Sequence, residues 1–215
     1  MWSKRVTMIK HTLMNRLPYI CISLALLITS CSDSERLTSL NNQQAILAFG
    51  DSLTYGYGAD ESQSYPEQLS QLLNIEVINA GISGEKSKQG LQRLSALLDK
   101  YQPQLLLLCH GGNDILKKQN LNSMKENLAR MIEMAQSRGI QVVLISVPEA
   151  TLFLPDIKQY QELAEQYNIP LENNIIKDVL KQPSLHSDAI HPNAQGYQLI
   201  AEAVYGLLED NGALK

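Results

Sequence analysis

Short, mostly apolar runs alternate along this chain with stretches in which apolar residues recur every three or four positions. Apolar runs of four or five residues are typical of buried strands, whereas the longer spacing is typical of amphipathic helices. The runs predict strands at residues 45–49, 75–78, 105–109 and 142–145, with a short fifth strand near 169–171. The helical spacing predicts helices at residues 64–73, 91–98, 121–135, 160–167 and 194–208.

Strands that alternate with helices are the signature of βαβ units and a parallel sheet. Right-handed crossovers between them give a three-layer α/β/α sandwich of about five parallel strands. The carboxyl ends of parallel strands meet at one edge of such a sheet, and open α/β sheets bind their ligands there. The residues of a functional site are therefore expected in the loops that follow the predicted strands.

The loop after the first predicted strand begins with Gly50-Asp51-Ser52-Leu53. A serine hydroxyl is a poor nucleophile at neutral pH unless a base takes its proton. Near the other end of the chain, Asp188-Ala189-Ile190-His191 offers an imidazole and a carboxylate to orient it. Taken singly, Ser52 could cap a helix and His191 could be an ordinary packed histidine.

Two further loops follow the second and third predicted strands. The first contains Gly81 in the run Asn79-Ala80-Gly81-Ile82-Ser83-Gly84, and the second contains Asn113 in His110-Gly111-Gly112-Asn113-Asp114. Because all these strands are predicted to be parallel, Ser52, Gly81 and Asn113 come to the same edge of the sheet.

These four blocks, in this order and spacing, resemble those of the SGNH, or GDSL, hydrolase superfamily. The stretches 79–85 and 190–193 are similar to its bacterial arylesterase, acyl thioesterase and lysophospholipase branch. The resemblance covers residues 44–209 and implies a flavodoxin-like fold. It implies a serine esterase that needs no metal or organic cofactor. The implied substrates are carboxylic esters with an aryl or a short-to-medium acyl group, acyl thioesters or lysophospholipids.

The resemblance also implies roles for the site residues. Ser52 attacks the acyl carbonyl, His191 accepts its proton and passes it to the leaving group, and Asp188 orients His191. The backbone N–H groups of Ser52 and Gly81 and the side-chain amide of Asn113 form the oxyanion hole.

For other polar residues of these loops we expect structural roles. We interpret Asp51 and Asp114 as groups that brace the loops, and His110 and His186 as structural. The apolar run Leu152-Phe153-Leu154 follows the fourth predicted strand. We hypothesise that this run forms a lip for an acyl chain, with ordinary packing against a helix as the alternative.

Three other functions remain open at this point. A carbohydrate acetylesterase uses the same machinery with a more polar pocket. A metal-dependent phosphoesterase could take its ligands from oxygen and nitrogen atoms of Asp51, Asn113, Asp188 and His191, although no further ligand motif is present. A non-catalytic binding lipoprotein would have no need for a base beside a serine.

The amino terminus has the pattern of an export signal. Residues 1–30 contain four basic residues and no acidic one, with an apolar stretch at 19–28 that is too short to span a bilayer. The run Ile28-Thr29-Ser30-Cys31 resembles a bacterial lipobox, which implies a lipid on Cys31. We therefore predict a signal peptide at 1–30, a lipidated polar tether at 31–43 and a hydrolase domain at 44–215. Ser32 favours the periplasmic side of the outer membrane.

Composition limits the partners. The formal net charge is −4, the pI is near 5.6, and no basic cluster follows the first residues, so a nucleic-acid surface is excluded. We expect a monomer that binds a small-molecule or lipid ester. Once Cys21 is removed and Cys31 is lipidated, Cys109 is left without a disulfide partner. Its place at the end of a leucine run predicts that it is buried.

Overall fold

A computed structural model describes residues 36–151 and 153–214. The predicted signal peptide, Cys31 and Leu152 lie outside these residues. Within the described residues the strands are β1 (Ile46–Gly50), β2 (Val77–Gly81), β3 (Leu105–Cys109), β4 (Gln141–Ile145) and β5 (Leu171–Glu172). The α-helices are α1 (Ser52–Tyr55), α2 (Tyr65–Leu73), α3 (Ser87–Tyr101), α4 (Gly112–Leu116), α5 (Leu121–Gln136), α6 (Lys158–Tyr167), α7 (Ile175–Leu180) and α8 (Ala194–Asp210).

The five strands form one sheet in the order β2-β1-β3-β4-β5, and every pair of neighbours is parallel. The chain moves in one direction from β1 to β2 and then in the other from β2 through β3 to β5. Right-handed crossovers therefore place α2 on one face and α3, α5 and α6 on the other. The helix contacts agree, because α8 packs with α2 and α7, and α5 packs with α3 and α6. The predicted three-layer α/β/α fold with about five parallel strands is confirmed.

The central strands are buried because helices cover both faces of the sheet. All five residues of β1 and all five of β3 are buried, as expected for runs without polar alternation. β2 is an edge strand, and only Val77 at its start is fully buried. β2 also begins two residues later than predicted. Its register is set by pairing with β1, where Val77 stands opposite Ile46.

Part of the predicted tether belongs to the folded domain. Leu37 is buried, and its N–H donates to the Asn211 carbonyl at 3.1 Å. Leu40 N–H donates to the Ala213 carbonyl at 2.8 Å. A boundary at residue 43 is therefore too late, because an apolar side chain and backbone pairing hold residues 37–43 to the domain.

The same segment reaches the amino ends of the strands. The Gln104 side chain, next to the start of β3, donates to the Asn41 carbonyl at 2.7 Å. Ser52 and Asn113 follow the carboxyl ends of β1 and β3, at the opposite edge of the sheet. Among residues 36–151 and 153–214, no helix has the length and apolar character needed to cross a membrane.

Candidate active site

Ser52 is held where β1 turns directly into α1. Gly50 ends the strand, and a Cβ there would overlap the Cys109 carbonyl oxygen on the neighbouring strand. Asp51 then caps the helix, with its side chain accepting a hydrogen bond from Leu53 N–H at 3.2 Å. Ser52 is the first residue of α1, so its hydroxyl and its amide both lie at the carboxyl edge of the sheet.

Ser52, His191 and Asp188 meet in space although Ser52 and His191 are 139 residues apart in the chain. The Ser52 hydroxyl lies 3.0 Å from His191 Nε2. His191 Nδ1 lies 2.8 Å from Asp188 Oδ2 and 3.0 Å from Oδ1. Because a carboxylate only accepts, Nδ1 carries the proton and the Nε2 lone pair faces the serine hydroxyl. The structure thus brings together the three residues that were predicted to meet.

The loop that carries Asp188 and His191 is fixed by its own hydrogen bonds. Asp188 Oδ1 accepts from the N–H groups of Ile190 and His191, each at 2.9 Å. Partial burial raises the pKa of Asp188, but these bonds and the imidazole of His191 together hold it below its ordinary value of 3.8. His186 Nδ1 donates to the Asp188 carbonyl at 2.9 Å, which is a structural role, as expected for His186. Asp188 therefore stays ionised at neutral pH.

Two hydrogen-bond donors lie beside the serine. The described residues provide no acceptor for the Ser52 N–H, and the Asn113 side chain lies close enough to the Asp51 carboxyl to act against the rise in its pKa. Asn113 lies in α4, directly after β3, and its side chain lines the same small cavity as Ser52 and His191. The helix can begin there because Gly111 adopts a φ of 110°. These donors can meet negative charge that develops beside Ser52.

Gly81 does not offer the donor that was predicted for it. Its N–H already donates to Asn79 Oδ1 at 3.0 Å. A Cβ at Gly81 would overlap the backbone N of Tyr55, so this glycine is needed for close packing of β2 on α1. Gly84, three residues on, has a φ of 79°, and its amide has no acceptor among the described residues. Gly84 belongs to the loop run 79–84, but the sequence predicted a role only for Gly81.

The cavity beside Ser52 has a volume of about 30 Å³. Its walls are mostly apolar, formed by Leu53, Leu116, Val147, Pro148, Ala150, Leu180 and Ile190. Neither Phe153 nor Leu154 lines it, and Phe153 is 84% exposed. Phe153 and Leu154 therefore do not form the predicted lip. Val147, Pro148 and Ala150, which precede them in the same loop, line the cavity instead.

Asp51 is a buried carboxyl one residue before the serine. Its Oδ2 has no hydrogen-bond partner among residues 36–151 and 153–214. Burial raises the pKa of Asp51 above its ordinary value of 3.8, because the carboxylate loses its hydration. A Cβ on Gly112 would lie only 3.1 Å from this oxygen, so the carboxyl packs directly on the start of α4. Asp51 thus links the two loops that carry Ser52 and Asn113.

A polar network of His110, Glu85 and Arg93 lies next to the carboxyl edge of the sheet. His110 Nδ1 accepts from Gly111 N–H at 2.9 Å, so Nε2 carries the proton and donates to Glu85 Oε2 at 3.1 Å. Arg93 bonds the same carboxylate oxygen at 2.6 Å and also donates to the Ala80 carbonyl at 2.9 Å. Although burial raises the pKa of Glu85, these two partners hold it below its ordinary value. His110 is therefore structural, as expected, but Glu85 and Arg93 were missed.

Asp114 has the bracing role expected for it. Its carboxylate accepts from the Ser87 N–H at 2.8 Å and from the Ser87 hydroxyl at 2.9 Å, which holds the start of α3. Cys109 is buried, as predicted, and burial raises the pKa of its thiol.

Asp51, Asn113 and His191 of the metal alternative line the same cavity, but the two carboxylates of the set do not face each other. Asp188 is turned toward His191 Nδ1, while the Asp51 carboxyl is buried against Gly112. In the part of the chain that the structure describes, no three His, Cys, Asp or Glu side chains are placed to hold a metal ion.

Known proteins share this fold and these sequence blocks. Residues 48–199 match the GDSL-like Lipase/Acylhydrolase family. The chain is 30% identical to Thioesterase 1/protease 1/lysophospholipase L1 of Escherichia coli K12, over 73% of this chain and 79% of that protein. It is 31% identical to Esterase TesA of Pseudomonas aeruginosa, over 86% of this chain and 98% of that protein. The structure of psychrotrophic esterase EstA from Pseudoalteromonas sp., inhibited by monoethylphosphonate, matches with a TM-score of 0.69 and 28% identity, over 79% of this chain and 97% of that one.

Proposed function

This chain belongs to the GDSL-like lipase/acylhydrolase family, and from that premise we propose that it is a serine esterase that acts through Ser52, His191 and Asp188. One observation carries the proposal, namely the 3.0 Å contact between Ser52 Oγ and His191 Nε2. A nucleophile needs a base within about 2.6–3.2 Å and a third group that orients the base. Asp188 meets that second requirement at 2.8 Å from Nδ1.

The reaction has two halves. Ser52 Oγ bonds to the acyl carbon as His191 Nε2 takes the hydroxyl proton, and the carbonyl oxygen becomes an oxyanion. The tetrahedral intermediate then breaks its bond to the leaving oxygen of an ester or sulfur of a thioester, which receives the proton from Nε2 and departs as an alcohol or thiol. In the second half, water gives a proton to Nε2 and attacks the acyl carbon. The second tetrahedral intermediate breaks its bond to Ser52 Oγ, which takes the proton back from Nε2, and the carboxylic acid leaves. Asp188 stays ionised and stabilises the imidazolium in both halves.

We assign the oxyanion hole to the Ser52 N–H and the Asn113 side-chain amide. The free Ser52 N–H and the place of Asn113 in the wall of the same cavity support this assignment, because preorganised donors need no rearrangement during the reaction. Gly84 N–H replaces Gly81 N–H as the third donor in this proposal. It lies in the turn after β2 at the same edge, and the Gly81 amide is already bonded to Asn79.

The substrate is a carboxylic ester whose acyl part is short. A cavity of about 30 Å³ is far smaller than the roughly 300–1,000 Å³ of pockets that enclose a drug-sized ligand. Because relatives are named as thioesterase, lysophospholipase and arylesterase, thioesters, lysophospholipids and aryl esters should be tested as substrates. An acetylated sugar should be tested with them, because the substrate of a carbohydrate acetylesterase, the competing function, also has a short acyl group.

We also propose that the protein is exported and lipid-anchored at Cys31. Metabolic labelling with palmitate tests the anchor. Loss of label and release from membranes in Cys31→Ser supports it, and unchanged fractionation refutes it.

A fluorophosphonate probe tests the chemistry, because it labels only an activated serine. The wild type should be labelled stoichiometrically and Ser52→Ala should not be labelled or hydrolyse p-nitrophenyl acetate. Ser83→Ala is the matched control, since Ser83 is an exposed serine in the turn after β2. Retained labelling in Ser52→Ala would refute the proposal. Activity that is lost in a chelator and restored by a divalent cation would favour the phosphoesterase alternative.

A further inference from the structure

Tyr57 lies against the imidazole of His191 on the outer side of the site. The two ring centroids are 4.5 Å apart, and the ring planes are inclined by 43°. Tyr57 is 49% exposed, so much of its ring is open to an incoming molecule. Its backbone is fixed from behind, because the buried Tyr197 donates its hydroxyl to the Tyr57 carbonyl at 2.8 Å. An exposed aromatic ring is therefore held in place next to the base.

The two sides of the scissile bond face different surroundings. The apolar cavity beside Ser52 is lined by Leu116, Val147 and Leu180 among others, and Tyr57 does not line it. His191 Nε2 must protonate the leaving oxygen, so that oxygen lies within hydrogen-bond distance of Nε2. With the acyl group in the cavity, a leaving group on this oxygen lies on the His191 side of the site, where the Tyr57 ring is 4.5 Å from the imidazole.

We propose that Tyr57 forms the leaving-group subsite and selects short-acyl esters of alcohols that carry an aromatic ring. The inference rests on the proposed serine esterase function and adds the leaving-group half of the substrate. A ring that is tilted and half exposed offers its edge and face for offset or edge-to-face contact with a second aromatic ring. An aliphatic alcohol of the same size buries similar area on Tyr57 but lacks that contact.

Another role for Tyr57 must be separated from this one. The same ring could simply hold His191 in position, and then every step that uses His191 would suffer equally when Tyr57 is replaced. Esters with a common acetyl group pass through the same acetyl-enzyme whatever their alcohol. Hydrolysis of that acetyl-enzyme uses His191 but involves no leaving group. Deacylation therefore reports on positioning alone, and acylation reports on both roles.

The experiment compares benzyl acetate with cyclohexylmethyl acetate, whose leaving groups have similar size and reactivity and differ in aromaticity. Tyr57→Leu should lower kcat/KM for benzyl acetate about 3- to 10-fold more than for cyclohexylmethyl acetate. Tyr57→Phe should keep the wild-type ratio. Tyr55→Leu is the matched control, because Tyr55 is a neighbouring aromatic residue with 55% exposure and should also keep the ratio.

The rate of acetyl-enzyme hydrolysis is measured from the steady-state phase that follows the p-nitrophenolate burst with p-nitrophenyl acetate. It should stay within about twofold of wild type in Tyr57→Leu. Equal losses on both esters, with slower deacylation, would overturn the subsite and show that Tyr57 positions His191. Fluorophosphonate labelling of Ser52 in the same variants keeps the tests apart, since absent labelling in the wild type refutes the esterase itself. Tyr57→Met provides a second non-aromatic variant should Tyr57→Leu fold poorly.

Discussion

The carboxylate of Asp188 accepts hydrogen bonds from both the backbone N–H and the Nδ1–H of His191, at 2.9 and 2.8 Å. The residue that orients the imidazole therefore also shapes the loop that carries it. Asp188 Oδ1 additionally accepts from Ile190 N–H, which closes the turn between the two residues. The backbone geometry of the loop and the tautomer of the base consequently depend on one side chain.

The first prediction concerns that side chain. Asp188→Asn keeps the shape but removes the charge that fixes Nδ1–H and stabilises the imidazolium, so kcat should fall about 10³- to 10⁴-fold with a small change in KM. The Asp188 side chain is 46% exposed, so the melting temperature should change little. Asp178→Asn is the control, because it removes an exposed carboxylate that pairs with Lys181 on the surface. Activity of Asp188→Asn within about tenfold of wild type would contradict the triad.

The second prediction concerns the pH dependence of stability. Asp51 has a raised pKa in the folded state because its carboxyl is buried. The folded protein therefore binds this proton more tightly than the unfolded chain. The stability that Asp51 contributes is present below its ordinary pKa of 3.8 and is lost as the pH rises through the folded pKa.

Asp51→Asn does not titrate at this position and so removes that loss. The free energy of unfolding of the variant, relative to wild type, should increase from about pH 4 to about pH 7. Urea unfolding of both proteins across this range measures the difference, in which titrating groups that do not interact with Asp51 cancel. A difference that is constant or that falls with pH would show that burial does not raise the Asp51 pKa.

The third prediction separates oxyanion stabilisation from folding. Asn113→Ala removes an amide that lines the cavity beside Ser52, so kcat should fall about 10²- to 10³-fold while KM changes little. Asn127→Ala makes the contrasting change, because Asn127 donates to the Ser87 hydroxyl at 3.0 Å, away from Ser52. That variant should lose stability and keep its kcat. The reverse pattern would assign Asn113 to structure and remove it from the oxyanion hole.

The sequence predicts the central strands well because their burial leaves an unbroken apolar pattern. The bounds predicted for β3 are those observed, and β4 differs by one residue. The edge strand β2 lies further along the chain than predicted because its pairing with β1 decides its register. A short apolar run does not reveal with which residues a strand pairs. α1 and α4 have only four and five residues, which is too few for helical periodicity to appear.

The site shows the same division between local and tertiary information. The positions of Ser52 and Asn113 follow from where β1 and β3 end, so their convergence is predictable. Asp188 and His191 lie in the loop before α8, and their place in the site was predicted from the family resemblance. Which glycine amide is free is not, because Asn79 engages Gly81 through a side-chain contact that spacing does not reveal. A sharper signal was present in Gly84, since a Ser-Gly pair in a loop favours a turn with positive φ at the glycine.

The pair of buried Glu85 and partly buried Arg93 left no such signal. A glutamate before a predicted helix and an arginine within it read as ordinary solvent-facing charges. Only the fold brings them under His110, where Arg93 lies 4.1 Å above the centre of the Phe49 ring. Charged residues that are buried by tertiary packing are therefore the part of this site that one sequence conceals.

The last prediction concerns the length of the acyl group. Leu180, at the end of α7, lines the cavity beside Ser52, so Leu180→Ala should enlarge the space for the acyl chain. The ratio of kcat/KM for p-nitrophenyl butyrate to that for the acetate should rise roughly tenfold, the scale on which an apolar pocket distinguishes one or two methylene groups. Phe153→Ala is the matched control, because Phe153 is 84% exposed and does not line the cavity. If Phe153→Ala changes this ratio and Leu180→Ala does not, the acyl group lies along residues 152–154 and the cavity has been assigned wrongly.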